Sequence, residues 1–385
     1  MPILKGITWD HPRGFDPMVA TSKEFEKKYS DYKIVWDKRP LQAFADRPIE
    51  QMAFDYDLMI IDHPHVGEAS RKGLLLELDQ YDEYKKNLEI IKQQSVGLSH
   101  LSYEFNNHQY ALGVDAATPV SAYRPDLIDT VPNTYEDIII LAENKKVMWP
   151  NKPVDAISNF NTITANIGNP IYKNDKEFIS IDIGISILKM MKKLSDLIPK
   201  ICLTMNPIQI LDYMSTNNNI VYCPLLYGYS NYSRKEFKNS IIKFTNTPSF
   251  NQDTNNCSGS QIGGTGLAIS KLTKEIDMTL KYTFWVASEE CQKDIYYFSG
   301  GQPGNIKAWK DKSINDDCNN FFKDTLKTLE TSWLRPRYDG YMYFQDVAGT
   351  LINQYLSNDT SAKSTIEKMK GEFEKSFYIN KKQIS

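Results

Sequence analysis

The sequence predicts an α/β protein built as two lobes, and three observations support this prediction. Short apolar runs alternate with segments of helical periodicity from the first residues onward, as in "LKGITW", "DPMVATSKEFEKKY" and "YKIVWD". The same alternation starts again at "HQYALGVDAATPV". The length of 385 residues fits two domains better than one. Alternation at this spacing is typical of βαβ units and a parallel sheet.

The first lobe is predicted to begin with strand, helix and strand. "LKGITW" and "YKIVWD" are the strands, and "YDLMIIDH" is a third strand that ends before Pro64. The helix between the first two strands takes Asp16 as its N-cap, because an aspartate before Pro17 can accept from the free N–H groups of the first turn. "PIEQMAF" is a short helix, and "LLLELDQY" is a further short apolar segment.

The remaining elements follow the same rules. "VMWP" has the composition of a strand and "GISILKMMKKLSDLI" the periodicity of a helix. "GSQIGGTGLAIS" is a glycine turn followed by a short strand, and a long helix then ends at "FWVASEECQ". A second glycine turn, "GGQPG", and a closing helix after "SWLRPRY" complete the chain.

Composition excludes several classes of protein. The net charge of −3 leaves no basic face for nucleic acid or an anionic membrane. No stretch approaches the roughly 18 consecutive apolar residues of a membrane span, so we expect no membrane insertion. The five cysteines are odd in number and form no C-x-x-C spacing, which argues against a disulfide framework and a cysteine zinc site.

The start of the chain leaves two locations open. "MPILKGITWD" lacks a charged region followed by an apolar one, so the sequence as written predicts a cytoplasmic protein. If Met1 replaces a signal peptide, the protein is extracytoplasmic. The unpaired cysteine count favours a reducing compartment.

Two similar loops follow two of the predicted strands. "GITWDHPRGFDPM" and "DLMIIDHPHVGEA" each stop an apolar run at Asp-His-Pro, and together they hold three of the five histidines. Open α/β sheets bind ligands outside the carboxyl ends of their strands, so we expect both loops on one rim of a ligand crevice between the lobes. The ligand-binding residues predicted in these loops are Trp9, Asp10, His11, Arg13, Asp62, His63 and His65.

Other interpretations of these loops remain open at this stage. Each histidine can be a polar turn residue. A metal site built from Asp10, His11, Asp62, His63 and His65 has suitable ligands for zinc or iron, but no H-E-x-x-H helix orients them. We therefore predict hydrogen-bonding pocket residues, with no metal and no cofactor. Arg13 can hold a ligand carboxylate or phosphate through two hydrogen bonds, or it can pair with Asp10 or Asp16.

The order of motifs in the second half resembles a known family. "GGTGLAIS", a helix ending "FWVASEECQ", "GGQPG" and "RPRY" follow one another as in the family 1 extracellular solute-binding proteins of ABC importers, which include binding proteins for maltodextrin-type sugars and glycerol phosphate. The resemblance extends over nearly the whole chain. It implies a type II periplasmic-binding-protein fold, with lobe one formed by residues 1–114 and 265–312 and lobe two by residues 115–264 and 313–385.

The resemblance also implies further ligand contacts. The family places a ligand-contacting segment at "YGYSNYS", where tyrosine rings can stack on a sugar while offering a polar edge. "GGTG" lacks the spacing of a phosphate-binding loop, so it is a backbone turn whose amides can reach a ligand. The predicted contacts in these segments and at the hinges are Asp115, Tyr227, Tyr229, Tyr232, Gly264, Thr265 and Gln302.

The predicted function is solute binding. We find no G-x-S-x-G elbow, no paired Cys and His, and no kinase or dinucleotide fingerprint, so we predict that the protein is not an enzyme. It would capture a small polar solute, such as a sugar, sugar acid or sugar phosphate, by clamshell closure for an ABC-type importer. Its partners would be the solute and the permease, and it would be a monomer. The alternative is a cytoplasmic enzyme, or an accessory or sensor protein, that uses the histidine-rich rim on the same scaffold.

Overall fold

The strands lie mainly in two sheets. The computed structural model describes residues 1–40, 49–173, 177–358 and 360–379. Its strands are β1 (Ile3–Trp9), β2 (Lys33–Arg39), β3 (Leu58–Ile61), β4 (Glu104–Phe105), β5 (His108–Gln109), β6 (Ala111–Ala117), β7 (Pro119–Tyr123), β8 (Tyr222–Tyr227), β9 (Lys243–Thr245) and β10 (Gly263–Ile269).

Helices connect these strands along the whole chain. They are α1 (Pro12–Lys28), α2 (Ile49–Asp55), α3 (Val66–Lys72), α4 (Lys85–Gln93), α5 (Tyr135–Glu143), α6 (Pro153–Asn166), α7 (Ile181–Leu197), α8 (Pro207–Thr216), α9 (Ile276–Val286), α10 (Glu289–Cys291), α11 (Ile306–Trp309), α12 (Lys312–Asp317), α13 (Phe321–Glu330), α14 (Tyr341–Ser357) and α15 (Ala362–Ser376). No helix in the described ranges is long and apolar enough to cross a membrane.

The chain divides into two units. Unit 1 consists of Met1–Ala117, Gly263–Asp316 and Arg337–Asp339, and unit 2 consists of Thr118–Ile262, Asp317–Pro336 and Gly340–Ser385. The family resemblance implied lobe two for residues 115–117, 263–264, 313–316 and 337–339, and all of these lie in unit 1. Residues 337–339 are held there because Arg337 donates to the carbonyl oxygens of Leu101 and Glu104, and Asp339 pairs with Arg71.

Unit 1 is built on a mixed five-stranded sheet in the order β2-β1-β3-β10-β6. β1 pairs in parallel with both β2 and β3, as the βαβ spacing predicted. β10 is antiparallel to β3 and β6, so the sheet is mixed and differs in this strand from the parallel sheet that the spacing predicted. The chain passes through unit 2 before it forms β10 in unit 1, so no βαβ crossover determines the direction of this strand.

Both faces of this sheet are buried. In β3, Leu58 and Ile60 belong to one hydrophobic cluster, and Met59 and Ile61 belong to the other. Successive side chains of a strand point to opposite faces, so a four-residue run of buried apolar residues serves both clusters. The sheet is therefore a central layer of unit 1.

Unit 2 combines a small antiparallel sheet with several helices. β7 lies between β8 and β9 and is antiparallel to both, whereas the sequence predicted a second parallel block. The segment "VMWP" contributes an isolated bridge at Val147 instead of a strand. Helix α6 packs against α14, where a Cβ on Gly349 would lie 2.2 Å from the Pro153 carbonyl oxygen. Glycine at this position permits the close approach.

Candidate functional site

The first Asp-His-Pro loop follows β1 and is held by contacts within unit 1. Trp9 is buried, and Asp10 is exposed with its carboxylate 2.7 Å from Lys38 Nζ. His11 is the N-cap of α1, and its Nδ1 accepts a 3.0 Å hydrogen bond from the Arg13 backbone N–H. The predicted cap, Asp16, lies inside the helix, because α1 begins at Pro12. The His11 ring therefore stabilises the start of this helix.

Arg13 forms a buried ion pair with Asp115 on β6. Its Nε donates to Asp115 Oδ2 over 2.8 Å, and its Nη2 donates to Oδ1. Burial raises the pKa of the Asp115 carboxyl, and the Arg13 guanidinium opposes that shift. Three partners for Arg13 were predicted from the sequence: an anionic group of the ligand, Asp10 or Asp16. Asp115 is 102 residues further along the chain, so local sequence could not reveal it.

The second Asp-His-Pro loop lies at the same edge of the sheet, because β1 and β3 are parallel neighbours. Asp62 Oδ1 accepts a 2.9 Å hydrogen bond from the His63 backbone N–H. His63 is fully buried, with its ring edge against Tyr103 at a centroid distance of 6.2 Å. His65 is also buried. In the described part of the chain, no group of three His, Cys, Asp or Glu side chains is placed to hold a metal ion.

The glycine turn at β10 completes this part of unit 1. Gly264 has φ of +87°, and an added Cβ would lie 2.2 Å from the Asp115 carbonyl oxygen, so the position requires glycine. Gln302 is fully buried, and its Nε2 donates to the Ala116 carbonyl oxygen over 2.8 Å. The buried Thr265 hydroxyl has no hydrogen-bond partner among the described residues. Gly264 and Gln302 thus shape the backbone, and Thr265 retains hydrogen-bonding capacity.

The tyrosines of the segment "YGYSNYS" differ in their surroundings. Tyr227 is half-buried at the end of β8, and its hydroxyl accepts a 2.8 Å hydrogen bond from Gln261 Nε2. Tyr229 is buried and meets the Tyr232 ring edge to face. The Tyr232 hydroxyl donates to Asp212 over 2.7 Å. Tyr232 therefore packs within unit 2, while Tyr227 is joined to a polar network.

That network runs along one side of α6. We call Asp155, Ser158, Asn161 and Thr162 the α6 polar strip, since the helical repeat brings residues at these intervals to neighbouring positions. Gln261 spans most of the strip. Its backbone N–H donates to Thr162 Oγ1, its Nε2 donates to Ser158 Oγ over 3.2 Å, and its Oε1 accepts from Asn161 Nδ2 over 2.8 Å. The amide of Gln261 is therefore fixed in orientation.

Asp155 lies in the first turn of α6 and has an unusual environment. Its side chain is 6% exposed, and its Oδ2 has no hydrogen-bond partner among the described residues. Burial raises the pKa of the Asp155 carboxyl to about 7, and the charge of Lys152 opposes the shift. The carboxyl therefore exchanges its proton near neutral pH.

The α6 polar strip was not predicted from the sequence. "PVDAISNFNTITAN" contains no known motif, and polar residues in a helix are ordinarily assigned to a solvent-facing side. Nearly all of α6 is buried, so its polar residues do not form a solvent-facing side. The available signal was the recurrence of Asp, Ser, Asn and Thr through a helix with no Lys, Arg or Glu to mark an exposed side.

Comparison with known proteins identifies the family. No relative was found among curated protein sequences. In structure, the chain is similar to maltose-bound MalE3 of T. maritima, at 16% identity and a TM-score of 0.84 over 97% of this chain and 99% of that one. It is also similar to a solute-binding protein of Agrobacterium radiobacter in complex with ribitol, at 17% identity and a TM-score of 0.82 over 97% and 98% of the two chains.

The GacH receptor of Streptomyces glaucescens, solved unliganded and with acarbose, gives a TM-score of 0.81 at 13% identity, over 98% of this chain and 99% of that one. These similarities confirm the predicted two-lobed fold of periplasmic binding proteins. The family model for bacterial extracellular solute-binding proteins matches residues 20–322. The chain therefore belongs to the bacterial extracellular solute-binding proteins.

Proposed function

We propose that the protein captures a small polar solute of the sugar or polyol type by clamshell closure, for an ABC-type importer. The family supports the solute-binding role, and the structural neighbours were solved with maltose, ribitol and acarbose. The permease of such an importer would be its partner. Because the family is extracellular, we propose that the protein acts outside the cytoplasm. We also propose that it is a monomer.

The observation that carries this proposal is the fixed amide of Gln261. It is held by Ser158, Asn161 and the hydroxyl of Tyr227, so three polar side chains and one aromatic ring are ordered before any solute binds. Sugar recognition requires oriented hydrogen-bonding groups beside an aromatic surface. Groups that are already ordered lose little conformational entropy on binding, which favours affinity.

The residues predicted from sequence enter the proposal in two ways. Tyr227, Tyr229 and Thr265 are proposed solute contacts, because Tyr227 belongs to the network and the Thr265 hydroxyl has unused hydrogen-bonding capacity. Arg13 and Gln302 are proposed to support the backbone around them. The enzyme alternative relied on the rim histidines, and the helix-capping role of His11 and the buried packing of His63 give it no support.

The test is a thermal-shift screen with neutral sugars and polyols, followed by calorimetry on the solutes that bind. A solute at about 100 times its Kd should stabilise the protein by roughly 2.7 kcal/mol. Small-angle scattering with the same solute should show closure, and the solute should be recovered chemically unchanged. Turnover that survives repurification would contradict the proposal, as would a screen in which no neutral sugar or polyol binds.

Gln261→Ala is the variant that connects binding to the network. Loss of its amide should cost about 1–3 kcal/mol of binding free energy, because Asn161 and Tyr227 are then no longer held in place and must be ordered when the solute binds. Gln93→Ala is the matched control, since Gln93 is exposed on α4 and its amide donates to the exposed Glu89 side chain. Equal affinity in the two variants would remove the α6 polar strip from the site.

A further inference from the structure

The α6 polar strip has hydrogen-bonding capacity that the protein leaves unused. Gln261 uses both ends of its amide on Ser158, Asn161 and Tyr227. Two oxygen atoms of the strip, Asp155 Oδ2 and Asn161 Oδ1, are buried and have no hydrogen-bond partner among the described residues. Buried polar atoms are seldom left without a partner in folded proteins, so these two require an explanation.

Both oxygen atoms are hydrogen-bond acceptors. A carboxylate oxygen and an amide oxygen accept hydrogen bonds, and the partner that would satisfy them must donate. Hydroxyl groups of a sugar or polyol are such donors. A ligand carboxylate or phosphate offers only acceptors in its ionised form, and it would also meet the negative charge of Asp155.

The arginine that could have favoured an anionic solute is already engaged. Arg13 was the candidate from sequence for holding a carboxylate or phosphate, and its guanidinium makes a bidentate pair with Asp115. Breaking a buried pair to bind a ligand anion would leave the Asp115 carboxylate buried and unpaired, which is costly. The Asp115 carboxylate therefore occupies the position at Arg13 that a ligand carboxylate or phosphate would need.

We propose that Asp155 selects a solute that carries hydroxyl donors and no anionic group, and that release of the Asp155 proton strengthens its capture. This inference rests on the proposed function and names the chemistry of the same site. The ionised carboxylate accepts two or more hydrogen bonds from vicinal hydroxyls, whereas the protonated form is a weaker acceptor and can itself donate. Capture is therefore strongest when Asp155 has lost its proton.

The surroundings of Asp155 determine the pH at which its carboxyl loses the proton. Burial raises its pKa to about 7, and Lys152 lowers it to a smaller extent. Burial raises the pKa of the Cys223 thiol on β8 well above its ordinary value, and the charges of Cys202 and Asp155 add to that shift. The ionisable residues of the other elements packed on α6 are Tyr123 on β7, Asp182, Lys189, Lys192, Lys193 and Asp196 on α7, and Tyr341, Tyr343, Asp346 and Tyr355 on α14. Lys152 is the charged neighbour that shifts the Asp155 pKa among the described residues.

The direction of the pH effect follows from these contacts. Donors from the solute favour the carboxylate, so binding lowers the pKa of Asp155 below its value in the free protein. Affinity is then highest above pH 7 and falls as pH decreases through that value. If binding lowers the pKa by about one unit, the Kd near pH 5 is about tenfold larger than the Kd near pH 8.5.

The experiment uses the full chain and calorimetry near pH 5 and pH 8.5. The neutral probes are ribitol and maltose, and the anionic counterparts are ribitol 5-phosphate and maltobionate. We expect a neutral probe to bind about tenfold more weakly at the lower pH and its anionic counterpart to bind at least about tenfold more weakly than the neutral probe. Asp155→Asn should abolish the pH dependence and reduce the discrimination against the anion. Asp182→Asn, an exposed carboxyl in the same unit, should change neither.

The outcomes separate this inference from the proposed function. A neutral probe that binds with the same Kd at both pH values, or more weakly than its anionic counterpart, overturns the inference while solute capture stands. A pH dependence that persists in Asp155→Asn overturns it as well. If no probe binds at either pH, both the sugar-type function and the inference fail. If Asp155→Asn does not fold, a wild-type Kd for a neutral probe that is the same at both pH values still overturns the inference.

Discussion

The strand-end loops of unit 1 and the α6 polar strip of unit 2 both bury polar side chains. The two regions differ in how far those side chains find hydrogen-bond or ion-pair partners. In the loops, Arg13 holds Asp115 and His11 caps a helix, so polar groups meet partners in the same unit. In the strip, acceptors on Asp155 and Asn161 have no partner among the described residues. Polar residues in a noticeable sequence motif can thus serve the fold, while polar residues in an ordinary helix carry the capacity to bind.

The largest effect should come from breaking the loop ion pair. Arg13→Ala leaves the Asp115 carboxylate buried without its guanidinium, which should reduce the free energy of unfolding by about 3–5 kcal/mol. Urea denaturation of the variant and the wild type measures the difference. Replacing both residues, as Arg13→Met with Asp115→Leu, should restore much of the loss, because no charge then remains unpaired. If Arg13→Ala is as stable as the wild type, the pair does not support unit 1.

The next effect concerns the turn beside that pair. Gly264→Ala forces a side chain into a backbone conformation with φ of +87° and against the Asp115 carbonyl oxygen, and should destabilise the protein by about 1–3 kcal/mol. Gly371→Ala provides the control. Gly371 lies within α15 with open space around its Cα, so alanine there should stabilise by about 0.5–1 kcal/mol. If both variants shifted the melting temperature in the same direction, the backbone conformation of Gly264 would not be what requires glycine there.

A different sign is expected for the strip. Because the Asp155 pKa is raised to about 7 in the folded protein, ionisation costs folding energy that grows as pH rises from the ordinary value of 3.8 to about 7. Asp155→Asn should therefore stabilise the unliganded protein by about 3–4 kcal/mol more near pH 8 than near pH 4. Chemical denaturation at the two pH values measures this difference. A variant that is destabilised equally at both would show that the carboxyl serves the fold, as in the loops.

The smallest effect should be found at the solvent-exposed end of the first loop. Lys38 and Asp10 form an ion pair with both side chains about half exposed, so Lys38→Ala should change the free energy of unfolding by no more than about 1 kcal/mol. The change should decrease further when salt is added. A loss as large as that of Arg13→Ala would mean that burial does not distinguish the two pairs.

The fold was largely predictable because its signals are local. The alternation of β1, α1, β2 and β3 follows from apolar runs of strand length and from helical periodicity, and the structure contains these elements. The direction of β10 was not predictable in this way. It depends on where the chain re-enters unit 1 after some 145 residues of unit 2, from Thr118 to Ile262, which no short window of sequence records.

The candidate site was less predictable for a related reason. The sequence gives the identity of Arg13 but not its partner, since Asp115 is distant along the chain. The role of Gln261 depends on four side chains brought together by folding. The predicted ligand contacts at Tyr227, Tyr229 and Thr265 remain predictions. Asp155 could be identified only once its burial and its missing partner were known.

The division of the chain has a consequence for how the protein is made. The backbone passes between the units after Ala117, Ile262, Asp316, Pro336 and Asp339, so neither unit is a continuous segment. During synthesis, the chain up to Ala117 leaves the ribosome before β10, the strand that lies between β3 and β6. Until Ile269 has emerged, the edges of β3 and β6 have no strand between them and can pair with other chains. A slow step or a chaperone requirement early in biogenesis should therefore trace to the wait for β10.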